Sequence, residues 1–243
     1  MTLEGTNTWL LAEPGSRECI VVDPGPDDES HLRAIADAAA DCDQTVTTIL
    51  LTHGHPDHAA GAPDLAQLCG ARVLAQDPKH GHALPPHLDA DGLRIDVVAT
   101  PGHSADSVCF ALPADQAVLT GDHVLGRGTS VVEYPEGRMG DYLASLARVK
   151  ALHAAWLLPG HGPVVGDPAG VLDHYVRHRE ERLQQLLGAV GDGAGTPQEL
   201  VRRIYRDTDP RLHPIAELTV RAGLELLVER GAIRRSGDGF STN

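Results

Sequence analysis

Aromatic side chains are scarce in this chain: two Trp, four Tyr and two Phe among 243 residues. A surface that stacks bases on exposed rings needs several of them, so a base-stacking platform is poorly supplied. Long apolar runs are missing too. None approaches the ~20 residues of a membrane-spanning helix, which leaves no helical membrane protein and no membrane partner to consider. No basic segment followed by an apolar stretch opens the chain, so no secretory leader is read. The four cysteines (Cys19, Cys42, Cys69, Cys109) form no CxxC pair. That spacing excludes a disulfide frame and a zinc ribbon, and predicts buried or partly buried thiols in a reducing compartment, the cytoplasm. Internal repeats and low-complexity segments are also absent.

Positive charge is scarce in one part only. Residues 1–170 carry 9 Lys and Arg against 23 Asp and Glu, whereas residues 171–243 carry 11 of each. The whole net charge of −14 therefore sits in the first part. Such a balance opposes a polyanionic partner, unless bound divalent metal reverses the sign locally.

Short runs rich in Val, Ile and Leu, each closed by turn residues, read as strands. They are CIVVDPG at 19–25, VTTILLTHGH at 46–55, ARVLAQD at 71–77, LRIDVVATPGH at 93–103, SVCFALP at 107–113, AVLTGDH at 117–123 and AAWLLPGH at 154–161. Helical patterns at 28–41, 58–69 and 140–153 alternate with them, which predicts an α/β arrangement of layered sheets. The last seventy residues differ. A long amphipathic helix is expected over 168–190, then a break at GDGAG (191–195). A helix capped by Thr196, with Pro197 and Glu199 in a capping-box pattern, runs to about Tyr205. Another spans roughly 215–231, and the end reads as a two-strand wing turning at Ser236–Gly239. Three helices and a hairpin suggest a small winged-helix domain.

The densest chemistry lies in THGHPDH, residues 52–58. His53 and His55 follow a strand one residue apart, so their rings can converge on one ion. Asp57 and His58 enter the next helix and can address a second. His103 in TPGHSADS, Asp122 in LTGDH and His161 in LPGHGP each close another predicted strand beside a glycine. Strand ends in a layered α/β fold can meet on one rim. Five histidines and two carboxylates suit Zn(II), Mn(II) or Fe(II). They are too many for one tetrahedral zinc and suit two ions about 3.5–4 Å apart, with a bridging carboxylate and water. Water bound to such metal has its pKa lowered to around 7, which supplies hydroxide at neutral pH.

THGHPDH, TPGHSADS, TGDH and PGHG, in this order, resemble the motifs of the metallo-β-lactamase fold superfamily. The resemblance implies an αββα sandwich with the metal site on one edge. It implies that His53, His55 and His103 hold one ion, that Asp57, His58 and His161 hold the other, and that Asp122 bridges. Asp122 in the bridging place argues against an antibiotic-hydrolysing β-lactamase. MTLEGTNTWLL, GDHVLGRGTSVVE, DYLASLARVKAL, LLPGHGPVV and HREERLQQLL, with the winged tail, look like the β-lactamase-like protein 2 group, whose studied animal member is a zinc-dependent endoribonuclease on single-stranded RNA. The implied organisation is a catalytic domain over 1–168 and a linking helix with a winged helix over 169–243. In similar proteins a strand precedes MTLEGTNTW, whereas this sequence begins inside it; either the true start lies upstream or the first strand is lost, and a missing strand would leave an uncovered sheet edge.

Other residues carry two readings. Asp23 in VVDPG either orients a ligand histidine or caps a turn. Thr6 and Asn7 either reach the site edge or form a hairpin turn. Ser104, Asp106 and Ser107 are expected to hold the His103 loop. Arg127 either lines the substrate cleft or is solvated, His123 is unassigned, and His80, His82 and His87 read as a surface loop. Arg221, Arg230, Arg234 and Arg235 form either a basic strip on the winged helix or part of a packing face, such as that of a homodimer.

Three functions compete. The first is a di-zinc hydrolase whose metal-bound hydroxide cuts single-stranded RNA, with Asp57 accepting or orienting the proton. The second hydrolyses a small thioester or lactone, as glyoxalase II relatives do; a mononuclear iron persulfide dioxygenase is a more distant variant. The third is a binding module acting through the winged helix, for which seven intact ligands would be superfluous.

Overall fold

The apolar runs become strands, and the computed structural model describes residues 5–193, 195–237 and 239–243. In chain order these are β1 (Trp9–Leu11), β2 (Glu18–Val22), α1 (Glu29–Ala40), β3 (Thr45–Leu50), α2 (Pro56–Ala59), α3 (Ala62–Cys69) and β4 (Arg72–Ala75). Then come β5 (His82–Ala83), β6 (His87–Ala90), β7 (Leu93–Ala99), β8 (Val108–Leu112), β9 (Ala117–Gly121), α4 (Met139–Lys150) and β10 (Trp156–Pro159). The rest is α5 (Pro168–Gly191), α6 (Pro197–Ile204), a 3-10 turn at Pro210–Leu212, α7 (His213–Glu229), β11 (Ile233–Ser236) and β12 (Gly239–Thr242). Two units divide these elements. One comprises Met1–Thr100, Asp106–Gly128 and Ala151–Pro168; the other comprises Pro101–Ala105, Thr129–Lys150 and Ala169–Asn243.

The first unit holds two five-stranded sheets, ordered β1-β2-β3-β4-β5 and β10-β9-β8-β7-β6. Strands β2 to β5 run parallel, whereas β6 to β9 are antiparallel and β10 joins β9 in parallel. Successive side chains of a strand point to opposite faces, and β2 uses both. Ile20 and Val22 join Leu50, Leu74, Ile95, Phe110 and Leu119 between the sheets. Cys19 and Val21 pack instead with Val46, Ile49 and Leu51 against Leu32, Ile35 and Leu65 of α1 and α3. A strand buried on both faces must read as a continuous apolar run, which is how CIVV reads. Helix α1 starts at Asp28, whose side chain accepts from the N–H groups of Ser30 and His31, satisfying two of its free donors.

The predicted helix over 58–69 is two helices. At Gly61 the chain turns against the 25–26 loop, its N–H bonded to Gly25 O at 3.0 Å. A Cβ there would stand 2.7 Å from Pro26 O. Cys42 is exposed, against the expectation of buried or partly buried thiols. The surface loop expected at His80–His87 contains β5 and β6, with His82 and His87 exposed upon them.

In the second unit the capping box at Thr196 and Glu199 is present. Helix α7 starts at His213, and Gly223 lets it approach Leu186 of α5. The wing is β11 paired with β12; Asp238 of its turn, Ala194 of the Gly-rich break and residues 1–4 lie outside the described residues. Arg179 of α5 is buried. Its guanidinium donates to Ser130 O and lies 5.1 Å from the Tyr142 ring centroid. Arg221 pairs with Glu217 and Arg235 with Glu225, both at 2.6 Å, so half of the basic strip is matched by carboxylates. Among the described residues no helix is long and apolar enough to cross a membrane.

Phe110, fully buried between the sheets, carries the first prediction. Phe110→Ala lowers the free energy of unfolding by about 3–5 kcal/mol, read from the midpoint of a urea titration. A loss near zero would show that the sheets do not pack there.

Candidate metal centre

The candidate ligands stand where strands end. β3 runs out through Leu51 and Thr52 into His53, Gly54 and His55. Pro56 then opens α2, so Asp57 and His58 occupy its first turn; proline fits there because its missing N–H would be unpaired anyway. β9 delivers Asp122 just past Gly121, and β10 delivers His161 two residues past Pro159. Gly121 has φ +48°, and a Cβ on it would lie 2.4 Å from Thr52 Oγ1. No other residue lets β9 pass Thr52 in that conformation.

Six of the seven predicted ligands meet on this rim of the first unit. The ligand atoms of His53, His58 and Asp122 lie within 4.8 Å of one another, as do those of Asp57, His58 and His161. His58 Nε2 is 3.2 Å from His161 Nε2 and 3.4 Å from an Asp122 oxygen. His161 Nε2 is 3.3 Å from Asp57 and 3.4 Å from Asp122. His53 Nε2 is 3.0 Å from His55 Nδ1.

Partners on the far side of each ring decide which nitrogen faces inward. Asp23, buried after β2, accepts from Thr52 N–H at 2.8 Å, Thr52 Oγ1–H at 2.7 Å and His58 Nδ1–H at 2.8 Å. Having given its proton to Asp23, the Thr52 hydroxyl is left to accept from His53 Nδ1–H at 3.1 Å. His161 Nδ1–H donates to Gly5 O at 2.8 Å. In this network His53, His58 and His161 all carry a proton on Nδ1 and turn Nε2 inward, the nitrogen left to a metal once any second proton has been displaced. Of the two readings of Asp23, the structure has it orienting a histidine.

The electrostatics call for positive charge. Burial pushes the His58 imidazole down, but Asp23 and Asp122 outweigh it and raise its pKa to about 10. Burial likewise lowers His161, while hydrogen bonds to Asp122 and Asp57 raise it to about 10. Burial raises Asp122, yet the bonds from His161 and His58 hold it well below the usual carboxylate range. Asp57 is lowered first by its bond to His161, against a smaller effect of burial. The donor set is borderline nitrogen and hard oxygen, which fits Zn(II), Mn(II) or Fe(II). Gly160 shapes the cradle: a Cβ there would sit 2.7 Å from His58 Cε1 and 2.9 Å from Asp122 Oδ1. The residues present fit a divalent metal.

The seventh candidate, His103, belongs to the second unit. There it is buried and its Nδ1–H donates to Val131 O at 2.6 Å, so it too leaves Nε2 to a metal. Its segment leaves and re-enters the first unit between Thr100 and Ser107, whose backbones are bonded at 2.9 Å. Gly102 N–H bonds Ser104 O within the turn. His123 is buried and Arg127 exposed. His80, read as part of a surface loop, has its ring over Gly54, where a Cβ would lie 2.4 Å from Nε2.

The sequence profile of the metallo-beta-lactamase superfamily matches residues 1–161, and that of the beta-lactamase associated winged helix domain matches residues 196–241. The lactamase-like protein aptB of Emericella nidulans is 35% identical, over 84% of this chain and 70% of that protein. The beta-lactamase-like protein 2 homolog of Drosophila melanogaster is 30% identical, over 97% of this chain and 86% of the fly protein. Among solved structures, a metallo-beta-lactamase family protein of Thermus thermophilus superposes with a TM-score of 0.83 at 25% identity, covering 98% of this chain and 94% of that one.

Two outcomes are expected. Asp23→Asn weakens zinc binding about 10–100-fold, measured by competition with a chromogenic chelator; unchanged affinity would show that the Asp23 bonds do not set the ligand geometry. In the metal-free protein, raised pKa values keep protons on the His58–His161 pair at pH 7–9, and an incoming ion must displace them. Zinc affinity therefore climbs as pH rises toward about 10. Calorimetry in two buffers of different ionisation heat reads the released protons, and equal heats would contradict this.

Proposed function

The chain belongs to the metallo-beta-lactamase superfamily, and from that premise we propose that it is a di-zinc hydrolase cutting phosphodiester bonds in single-stranded RNA. The observation that carries the hydrolase reading is the meeting of three inward-facing Nε2 atoms with Asp57 and Asp122 on one rim. His53, His55 and His103 would hold one ion and Asp57, His58 and His161 the other, with Asp122 as a further ligand. When bound, the pair lowers the pKa of a water ligand to about 7 and offsets charge developing at phosphorus. Asp57 is the more exposed of the two carboxylates, its side chain at 23% against 15% for Asp122. Held ionised beside His161, Asp57 orients the attacking water and takes its proton. The water oxygen bonds to phosphorus, the P–O bond to the leaving ribose oxygen breaks, and that oxygen takes up a proton.

RNA as substrate is supported by likeness to the beta-lactamase-like protein 2 homologs along nearly the whole chain. A second reading, hydrolysis of a small thioester or lactone, is favoured by the acidic first part and the 3% aromatic content, both unhelpful for gripping a polyanion. The free cysteines accord with action in the cytoplasm.

The test is a labelled, unstructured RNA incubated with zinc-loaded protein beside Asp57→Asn. Cleavage by the wild type falls at least ~100-fold in the variant, the contribution of a positioned base. Wild-type protein with two zincs bound and no cleavage would remove RNA as substrate, and turnover of thioesters or lactones by that sample would put the second reading in its place.

A further inference from the structure

Residues Gly5 to Thr8 contribute no side chain to either apolar cluster of the first unit, and Gly5 is exposed. Yet all four make hydrogen bonds to loops that carry the metal centre. Gly5 O takes the Nδ1–H of His161 at 2.8 Å. Thr6 Oγ1–H donates to the Asp57 carbonyl at 2.7 Å. Asn7 gives its backbone N–H to Gly160 O at 2.7 Å, and its side-chain amide donates to Pro159 O at 3.0 Å and Gly162 O at 2.8 Å. Thr8 Oγ1–H donates to the Asp23 carbonyl at 2.8 Å. The anticipated alternative, a hairpin turn, is not what these residues form.

We propose that Gly5–Thr8 is a positioning strap for the metal centre, with Asn7 as its principal side chain; the proposal rests on the metal reading above. The loops it ties follow three different strands, β2, β3 and β10, and lie up to 138 residues apart in sequence, from Asp23 to His161. Asn7 suits its place chemically. Its amide brings two donors to two carbonyls that bracket Gly160 and His161. Aspartate would set acceptors against those carbonyls, and glutamine would be one methylene too long. Clamping residues 159–162 keeps Gly5 O opposite the His161 ring, which holds the tautomer with Nε2 free for metal. Thr6 fixes the backbone of Asp57, so the strap addresses both ends of the Asp57–His161 contact.

The experiment measures Zn2+ affinity of the metal-free full chain by chelator competition, for wild type, Asn7→Ala, Thr6→Val and Thr6→Ser. Asn7→Ala and Thr6→Val are expected to bind zinc about 10–100-fold more weakly, while Thr6→Ser, which keeps the hydroxyl, recovers most of the loss. Nitrogen-15 spectra of the His161 ring in the zinc-loaded chain give a readout that general loosening would not move: wild type keeps the ring proton on Nδ1, and Asn7→Ala shows a mixture. Should Asn7→Ala not fold, the two Thr6 variants decide alone. Wild-type zinc affinity in Thr6→Val and Asn7→Ala, or equal weakening in Thr6→Val and Thr6→Ser, would overturn the strap and leave the metal reading standing. Failure of the wild type to take up zinc would overturn both.

Discussion

Two imidazole nitrogens 3.2 Å apart, with carboxylate oxygens on both sides, are stable only with positive charge between them. Lone pairs and anions in a buried cluster repel one another strongly because little solvent screens them. Protons can supply the charge, as the raised pKa values of His58 and His161 indicate, and so can metal ions. The rest of the first unit meets the demand of holding these groups together anyway. Its two sheets give stiff strand ends, and its glycines remove the side chains that would push the ligands apart.

Much of this was legible in the sequence. Each of the seven apolar runs marked a strand because strands buried on one or both faces leave unbroken Val, Ile and Leu. The ligands stood out because histidine and aspartate rarely follow a buried strand beside glycine without a use. What escaped had weak local signals. β5 and β6 are short, and with both residues of β5 exposed and Leu88 the one buried side chain of β6, neither makes an apolar run. The break at Gly61 depends on contact with Pro26, thirty-five residues earlier. Whether Asn7 formed a turn or touched the site depended on where residue 160 would be.

Arg179 is the clearest case of a residue with no local signal. Nothing in HREERL singles it out from its charged neighbours, yet it is 2% exposed. A buried guanidinium is costly unless its donors are met. Here one is met by the carbonyl of Ser130, beside the Val131 carbonyl that receives His103 Nδ1–H. A long helix counted as a linker thus steadies, through one backbone segment, the ring of a candidate ligand in its own unit.

The Thr52 hydroxyl lies between a carboxylate that can only accept and an imidazole. Its single proton points toward Asp23, so the chain of donors from His53 through Thr52 to Asp23 has one direction. His58 donates to the same carboxylate from the other side. Two candidate ligand rings thereby share one point of reference. A change of tautomer at His53 would require the hydroxyl to rotate and Asp23 to give up a donor that helps hold His58. The network behaves as a latch with one closed setting, in which the orientation of the His53 ring and that of the His58 ring are fixed by the same carboxylate.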